Sequence, residues 1–235
     1  MNYTDISTMK MGVLRVREKK NSPLCLDVVV RHACIADFGF VHKKSVLVTY
    51  QHDGFTVVLC DNADANSDGR ILHIGGCGNI YRLSVRLPKN SIFSNGDFLA
   101  VKYEHGIITA RKLPSAQRYY VVGLLNHDAY LKMSGYWLSD IGFTPDTTVT
   151  VSTVNGCILF NAWMDTSKSY RELVRFSRKN KYQIIQIRKN EIASTLEIPC
   201  YLFNRVGITS GDIIGVHYGY GRIKFFKPGL ENLGL

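Results

Sequence analysis

The feature that most constrains the fold is a pattern of turns and strands that occurs four times along the 235 residues of the chain. Each occurrence has an alternating strand, a tight turn that contains glycine, and a closing strand. The hairpin glycines are Gly54, Gly106, Gly156 and Gly221, spaced 52, 50 and 65 residues apart. A period of about fifty residues predicts four small copies of one unit rather than a single continuous sheet.

The copy nearest the C-terminus shows the pattern most completely. A strand ends at Ile198-Pro199, a short helix follows, and the pairs Gly207-Ile208 and Gly211-Asp212 precede the hairpin. Glycine supplies the positive φ that such turns require. The first copy has the corresponding pair Gly39-Phe40 and the hairpin pair Asp53-Gly54. The second copy has Gly96-Asp97, and the third has Gly142-Phe143 and the hairpin pair Asn155-Gly156. A further strand is predicted upstream in each copy, at residues 12–17, 70–74, 119–125 and 183–188.

Composition and charge indicate a folded protein with a polyanionic partner. Hydrophobic residues make up 46% of the chain and charged residues 20%, which is ordinary for a globular protein. Lys and Arg number 29 against 19 Asp and Glu, so the formal net charge is +10 and the isoelectric point is near 9.3. This excess favours nucleic acid or another anionic surface as a partner.

Several classes are not expected. No apolar run approaches the roughly 18 residues that a membrane-spanning helix needs, so we expect no membrane association. Residues 1–11 lack the pattern of a secretory signal, which predicts a cytoplasmic protein, associated with the nucleoid if it binds DNA. The six cysteines form no CxxC pair, so buried thiols are expected rather than a metal site, and no cofactor is predicted.

The C-terminal copy resembles the AbrB/SpoVT swapped-hairpin superfamily. Its matching residues are Ile198-Pro199, Val206-Gly207-Ile208, Gly211-Asp212 and Lys227-Pro228. The third copy is similar to the SymE toxin branch of the same superfamily, and its matching residues are Leu131-Lys132, Trp137-Leu138, Gly142-Phe143 and the run 156–159. The second copy fits the pattern less closely, and the first copy departs from it most.

The resemblance implies a mainly β fold with short helices, in which two copies interleave their hairpins into one β-barrel. A unit of about fifty residues has too small a core to be stable alone. We therefore expect tandem swapped-hairpin barrels formed as two pseudo-dimers within one chain, although exchange between chains to form a homodimer remains an alternative. The expected domains are 1–114, with copies at 10–62 and 69–113, and 115–235, with copies at 117–163 and 182–229 joined by a basic helical linker at 164–181.

AbrB-like proteins bind DNA through basic residues of the first hairpin and the adjoining helix, so the resemblance also predicts binding residues. Alternate residues of a strand share a face, which would place Arg15 and Arg17 together. In the fourth copy, Phe203 and Asn204 replace two arginines that the family places on the helix. The predicted binding residues in the hairpins are Arg15, Arg17, Lys19 and Lys20, then Arg82, Arg86 and Lys89, and finally Arg188 and Lys189.

The segment between the third and fourth copies carries much of the positive charge. Residues 165–189 contain eight basic and two acidic residues. A helix is predicted over 167–180, with Arg171, Arg175 and Arg178 on one side and Lys179 beside them. Either this helix packs over a barrel with its charges in solvent, or it forms a basic arm that contacts phosphates of DNA or RNA. Contacts to six to ten phosphates would lower affinity by roughly 10³ to 10⁵ between 50 and 200 mM salt.

Catalytic patterns such as a Walker loop, a GxSxG turn or an HExxH helix are absent from the sequence. The pairs His127-Asp128 and His52-Asp53 place a possible base beside a carboxylate. The weak catalytic candidates are His127 and Asp128, with His127 as a general base, because SymE-like proteins have been regarded as RNA-cleaving toxins. The leading hypothesis is a non-enzymatic nucleic-acid-binding protein, a regulator or DNA-coating factor of AbrB type that binds DNA rather than RNA. One alternative is a SymE-like toxin, which would either cleave RNA as an endoribonuclease or compact the nucleoid. The other is an antitoxin or inhibitor that binds an acidic protein.

Overall fold

The computed structural model describes residues 9–19, 22–31, 35–60, 69–77, 80–89, 91–145, 147–163, 171–172, 174–175, 183–189 and 194–229. The protein is mainly β with few short helices. It divides into an N-terminal unit, formed by Met1–Ser115 with Gly229–Leu235, and a C-terminal unit, Ala116–Pro228. Within the described ranges, no helix is long and apolar enough to cross a membrane.

The described residues of the N-terminal unit form ten strands in two antiparallel sheets. A six-stranded sheet has the order β1-β9-β10-β5-β4-β6, and a four-stranded sheet has the order β2-β3-β8-β7. The strands are β1 Met9–Arg15, β2 Arg17–Lys19, β3 Ser22–Arg31, β4 Ser45–Gln51, β5 Gly54–Cys60, β6 Arg70–His73, β7 Gly75–Cys77, β8 Ile80–Arg86, β9 Phe98–Glu104 and β10 Ile107–Lys112.

The C-terminal unit repeats this topology. Its sheets have the orders β11-β19-β20-β15-β14-β16 and β12-β13-β18-β17. The strands are β11 Arg118–Val121, β12 Gly123–Leu125, β13 Asp128–Ser134, β14 Thr148–Val154, β15 Cys157–Ala162, β16 Gln183–Gln186, β17 Arg188–Lys189, β18 Ser194–Ile198, β19 Ile213–Gly219 and β20 Arg222–Phe226. Two helices are described over their full length, α1 Tyr136–Asp140 and α2 Cys200–Arg205, and residues 171–172 and 174–175 are also helical.

Each unit consists of two halves of five strands whose pairing crosses from one half to the other. In the N-terminal unit, β1 pairs with β9 of the second half, and β6 pairs with β4 of the first half. The hairpins β4-β5 and β9-β10 meet where β5 pairs with β10. Both six-stranded sheets end in edge strands, so no closed barrel forms in the described part of the chain.

Alternation of buried and exposed residues explains how the strands form a core. In β4 and β5, Val46, Val48 and Val57 are buried on the inner side, and their neighbours face outward. One buried branched residue also separates the first two strands of every half. These residues are Val16, Ile74, Val122 and Ile187, each at most 2% exposed. They fix where the chain leaves the six-stranded sheet and enters the four-stranded one.

The predicted glycine-apolar pairs form the same turn in three halves. Phe40 donates to the carbonyl of Ile35, Phe143 to Leu138 and Ile208 to Phe203, at 3.0, 2.8 and 3.0 Å. The preceding glycines have φ values of 88°, 87° and 67°. This is the Schellman arrangement, in which glycine ends the turn and the two bonded apolar residues pack together. Local sequence therefore specifies this turn.

The first hairpin differs from the prediction. Its two turn residues are His52 and Asp53, and Gly54 is the first residue of β5, opposite Gln51. A Cβ atom at Gly54 would lie 1.9 Å from the carbonyl oxygen of Ala110 in β10. Close approach of two strands, and not a positive φ, therefore requires glycine at this position.

Candidate nucleic-acid interface

An open groove of about 790 Å³ lies on the N-terminal unit, where β1 and β2 meet the outer side of β3 and β8. It brings together four of the predicted cations, three from the first copy and one from the second. The lining residues are Val13, Leu14, Arg15, Arg17, Glu18, Lys19, Asp27, Val29, Arg82 and Ser84. We call this surface the basic groove.

The packing of β3 against β8 determines which side chains reach the groove. Val28 and Val85 are opposite each other and fully buried. Their neighbours in the next register position, Val29 and Ser84, face outward and line the groove. Because side chains alternate along a strand, Arg82 lies on the same outer side as Ser84. Core packing thus places Arg82 beside the cations of the first copy.

Arg15 and Arg17 reach the groove from two different sheets. Arg15 ends β1 and Arg17 begins β2, with the fully buried Val16 between them. The expectation that they share one face of a single strand is therefore wrong, although both line the same groove. The guanidinium carbon of Arg15 lies 5.6 Å from the centroid of the Phe98 ring. This cation–π contact restricts Arg15 before any ligand binds.

The basic groove has an excess of positive charge. Its lining contains four cations and two carboxylates, those of Glu18 and Asp27. Asp27 interacts with Arg86, whose Nε lies 3.9 Å from Asp27 Oδ1. Within the described residues, no carboxylate oxygen lies within 4.0 Å of the four cations that line the groove. These cations are therefore available for an anionic partner.

The described side chains at the centre of the corresponding face of the C-terminal unit compensate each other in charge. There β13 pairs with β18, and Lys132 Nζ lies 3.2 Å from Glu197 Oε1. In the short strand β12, Leu124 and Leu125 are exposed. Among the described side chains, the basic groove thus lies on the N-terminal unit.

The other predicted binding residues are distributed away from the groove. Arg86 and Lys89 are exposed near the end of β8 but do not line it. Arg171 and Arg175 are exposed and helical, as is Glu172, and the helical Val174 is half-buried. Arg188 and Lys189 form β17, where the backbone pairs with Thr195 and Ser194, and their side chains lie outside the described part. Lys20, Arg178 and Lys179 also lie outside the described residues.

The weak catalytic candidate lies on a hairpin tip. Asn126 and His127 form the turn between β12 and β13, with φ values of 51° and 70°. His127 and Asp128 are both exposed. General-base catalysis needs a substrate held against the base in a defined position, and an exposed turn does not enclose one. In the described residues, no group of three or more His, Cys, Asp or Glu is arranged to hold a metal ion.

Two groups in the groove were not predicted from the sequence. Phe98 supports Arg15, and it is found only through the pairing of β1 with β9, which places Arg15 opposite Phe98. Asp27 introduces negative charge, and it reaches the groove because β3 pairs with β2 and β8.

Comparison with family models, curated proteins and solved structures gives no match to this chain.

Proposed function

We propose that the protein binds nucleic acid without catalysing a reaction, and that it binds duplex DNA through the basic groove. The observation that carries this proposal is the convergence of Arg15, Arg17, Lys19 and Arg82 on one groove, free of carboxylate partners among the described residues. Phosphate oxygens are the ligands that such a set of guanidinium and ammonium groups binds best. A net charge of +10 favours approach to a polyanion.

The strand pairing supports a second part of the proposal, that the two units are pseudo-dimers of AbrB/SpoVT type. In each unit the first strand of one half pairs with the hairpin of the other half. The Gly-Asp pairs take equivalent positions, since Asp97 contacts Lys112 at 2.6 Å and Asp212 contacts Lys227 at 3.0 Å. Exchange of strands between halves is the arrangement that the resemblance implies.

The test compares two double variants with the same change in charge. Arg15→Gln with Arg17→Gln removes two groove cations, and Arg222→Gln with Lys224→Gln removes two exposed cations of β20 in the C-terminal unit. Both proteins are titrated into a labelled 30-base-pair duplex and followed by fluorescence anisotropy. We expect the groove variant to bind at least tenfold more weakly than the parent, and the β20 variant to bind within threefold of it.

Equal affinity of the two variants would overturn the proposal, because it would show that only net charge matters. The same titration with single-stranded RNA, followed by electrophoresis of the RNA, tests the toxin alternative. Cleavage of the RNA would replace the proposal with an enzymatic one. Absence of binding to either polymer would favour an acidic protein as the partner.

A further inference from the structure

A cation with no carboxylate partner among the described residues also lies in the C-terminal unit, next to aromatic rings. The guanidinium carbon of Arg118 lies 4.6 Å from the ring centroid of Trp137 and 5.9 Å from that of Tyr218. The two rings contact each other with centroids 4.9 Å apart. Tyr120 lies two positions further along β11, on the same side of the strand as Arg118. We call these four residues the Arg118 cluster.

Arg118 has a buried donor without an acceptor and a positive charge without a carboxylate partner among the described residues. Within the described ranges, no carboxylate oxygen lies within 4.0 Å of the Arg118 guanidinium, and its Nε–H is buried without an acceptor. Burial raises the pKa of the Tyr120 hydroxyl, whereas Arg118 lowers it through its charge and a side-chain hydrogen bond, and the hydroxyl of Tyr218 raises it. A buried donor without an acceptor, such as the Nε–H of Arg118, is unfavourable.

The fold itself does not require this cluster. Arg118 and Tyr120 lie four and two residues before Val122, the buried residue that follows the first strand of this half. The same two positions in the other three halves are occupied by Gly12 and Leu14, by Arg70 and Leu72, and by Gln183 and Ile185. Each of these halves forms its strands without the combination of arginine and tyrosine. The pair of Arg118 and Tyr120 is therefore specific to the first half of the C-terminal unit, and Tyr218 of the second half completes the cluster.

We propose that the Arg118 cluster binds a phosphate group, carried by a free nucleotide or by a nucleic acid strand. A guanidinium stacked on aromatic rings keeps its in-plane N–H groups available as donors. The phosphate supplies the missing negative charge and accepts from the guanidinium and the tyrosine hydroxyls. All four side chains are only half-buried, so that a ligand can reach them. This site is separate from the basic groove and does not depend on the function proposed for it.

The test uses the fluorescence of Trp137. The chain has two tryptophans, so Trp163→Phe makes Trp137 the sole reporter. This protein is titrated at constant ionic strength with inorganic phosphate, with 5′-phosphorylated pentathymidylate and with the same oligonucleotide without its 5′-phosphate. We expect a saturable change in fluorescence. A response to both oligonucleotides indicates phosphodiesters of a strand, and a response that needs the 5′-phosphate or occurs with inorganic phosphate indicates a free phosphate group.

Substitutions then identify the residues that bind. Arg118→Lys keeps the charge but loses the planar donor arrangement, and we expect it to weaken binding at least tenfold; Tyr120→Phe is expected to weaken it about threefold. Arg111→Lys, which alters the partner of Asp53 in the N-terminal unit, is the matched control and should leave the dissociation constant unchanged. The groove variant Arg15→Gln with Arg17→Gln should also respond like the parent, which separates this site from the groove.

The proposal fails if the parent shows no saturable response to any of the three probes. It also fails if Arg118→Lys and the parent bind with equal dissociation constants. Circular dichroism checks that each variant is folded. If Arg118→Lys does not fold, the decision rests on Tyr120→Phe, whose unchanged affinity would then overturn the proposal.

Discussion

The salt dependence of DNA binding can be worked out from the groove and then measured. For duplex DNA, the logarithm of the affinity falls with the logarithm of the salt concentration, with a slope of about −0.9 for each phosphate that is neutralised. The four cations of the basic groove, Arg15, Arg17, Lys19 and Arg82, therefore predict a slope of about −3.6. Between 50 and 200 mM salt, this slope corresponds to a loss of roughly 150-fold in affinity.

Substitution of two of these cations should change the slope as well as the affinity. With Arg15 and Arg17 replaced by Gln, two phosphate contacts remain, and the expected slope is about −1.8. The corresponding loss between 50 and 200 mM salt is then only about 12-fold. Fluorescence anisotropy with a 30-base-pair duplex at five salt concentrations measures both slopes.

The measured slope also decides whether the helical segment between the third and fourth copies participates. Arg171 and Arg175 are exposed and helical, and their contact with phosphates would steepen the slope to about −5.4. Substitution of both by Gln would then return it to about −3.6. If the groove variant and the parent have the same slope, the basic groove is not where DNA binds and the reasoning is refuted.

Three further predictions concern charge, packing and pH. Asp27→Asn removes a carboxylate from the groove and should strengthen DNA binding about two- to fivefold in the anisotropy assay. Gly54→Ala should lower the free energy of unfolding by about 3 kcal/mol or more, since the new Cβ would clash with the carbonyl oxygen of Ala110. Gly156→Ala should cost only about 1 kcal/mol, because Gly156 has a positive φ but open space around it. Urea denaturation measures both losses, and equal losses would contradict the packing argument. Burial raises the pKa of Tyr119 to about 12. The neutral hydroxyl therefore stabilises the folded state fully below pH 10, and the free energy of unfolding falls as pH rises from 10 to 12, by at most about 1.4 kcal/mol per pH unit. Tyr119→Phe should make this fall in stability less steep.

The turns could be predicted from the sequence because a few adjacent residues determine them. Gly142-Phe143 and Gly207-Ile208 each require a positive φ at glycine and a buried residue after it, and both form the predicted turn. The turn at Asn155-Gly156 likewise has positive φ at both residues, 48° and 71°. Such short-range requirements are visible in one sequence without knowledge of the rest of the fold.

The groove could be predicted only in part, since it depends on pairing between distant strands. Arg15 lies opposite Phe98, and Arg31 opposite Arg82, because β1 pairs with β9 and β3 with β8. Alternation indicates which residues face outward but not which strand is the neighbour. For the same reason, the position of Asp27 among the cations could not be predicted from the sequence. The sequence predicted a need for glycine at position 54, but for a positive φ. The observed reason is its close approach to Ala110 in β10, which is also a long-range contact.

The distribution of charge limits how the proposed DNA complex can be arranged. All four halves have a buried residue at the same position, Val16, Ile74, Val122 and Ile187. The outer faces differ, and the basic groove of the N-terminal unit combines arginines of both halves. A homodimer with two equal basic faces suits a DNA site with two-fold symmetry. Among the described side chains, the basic groove lies on the N-terminal unit, and Lys132 and Glu197 compensate each other at the centre of the equivalent face of the second unit. If DNA binds through the basic groove alone, two chains are needed to contact both halves of a symmetric site, whereas one chain suffices for an asymmetric one.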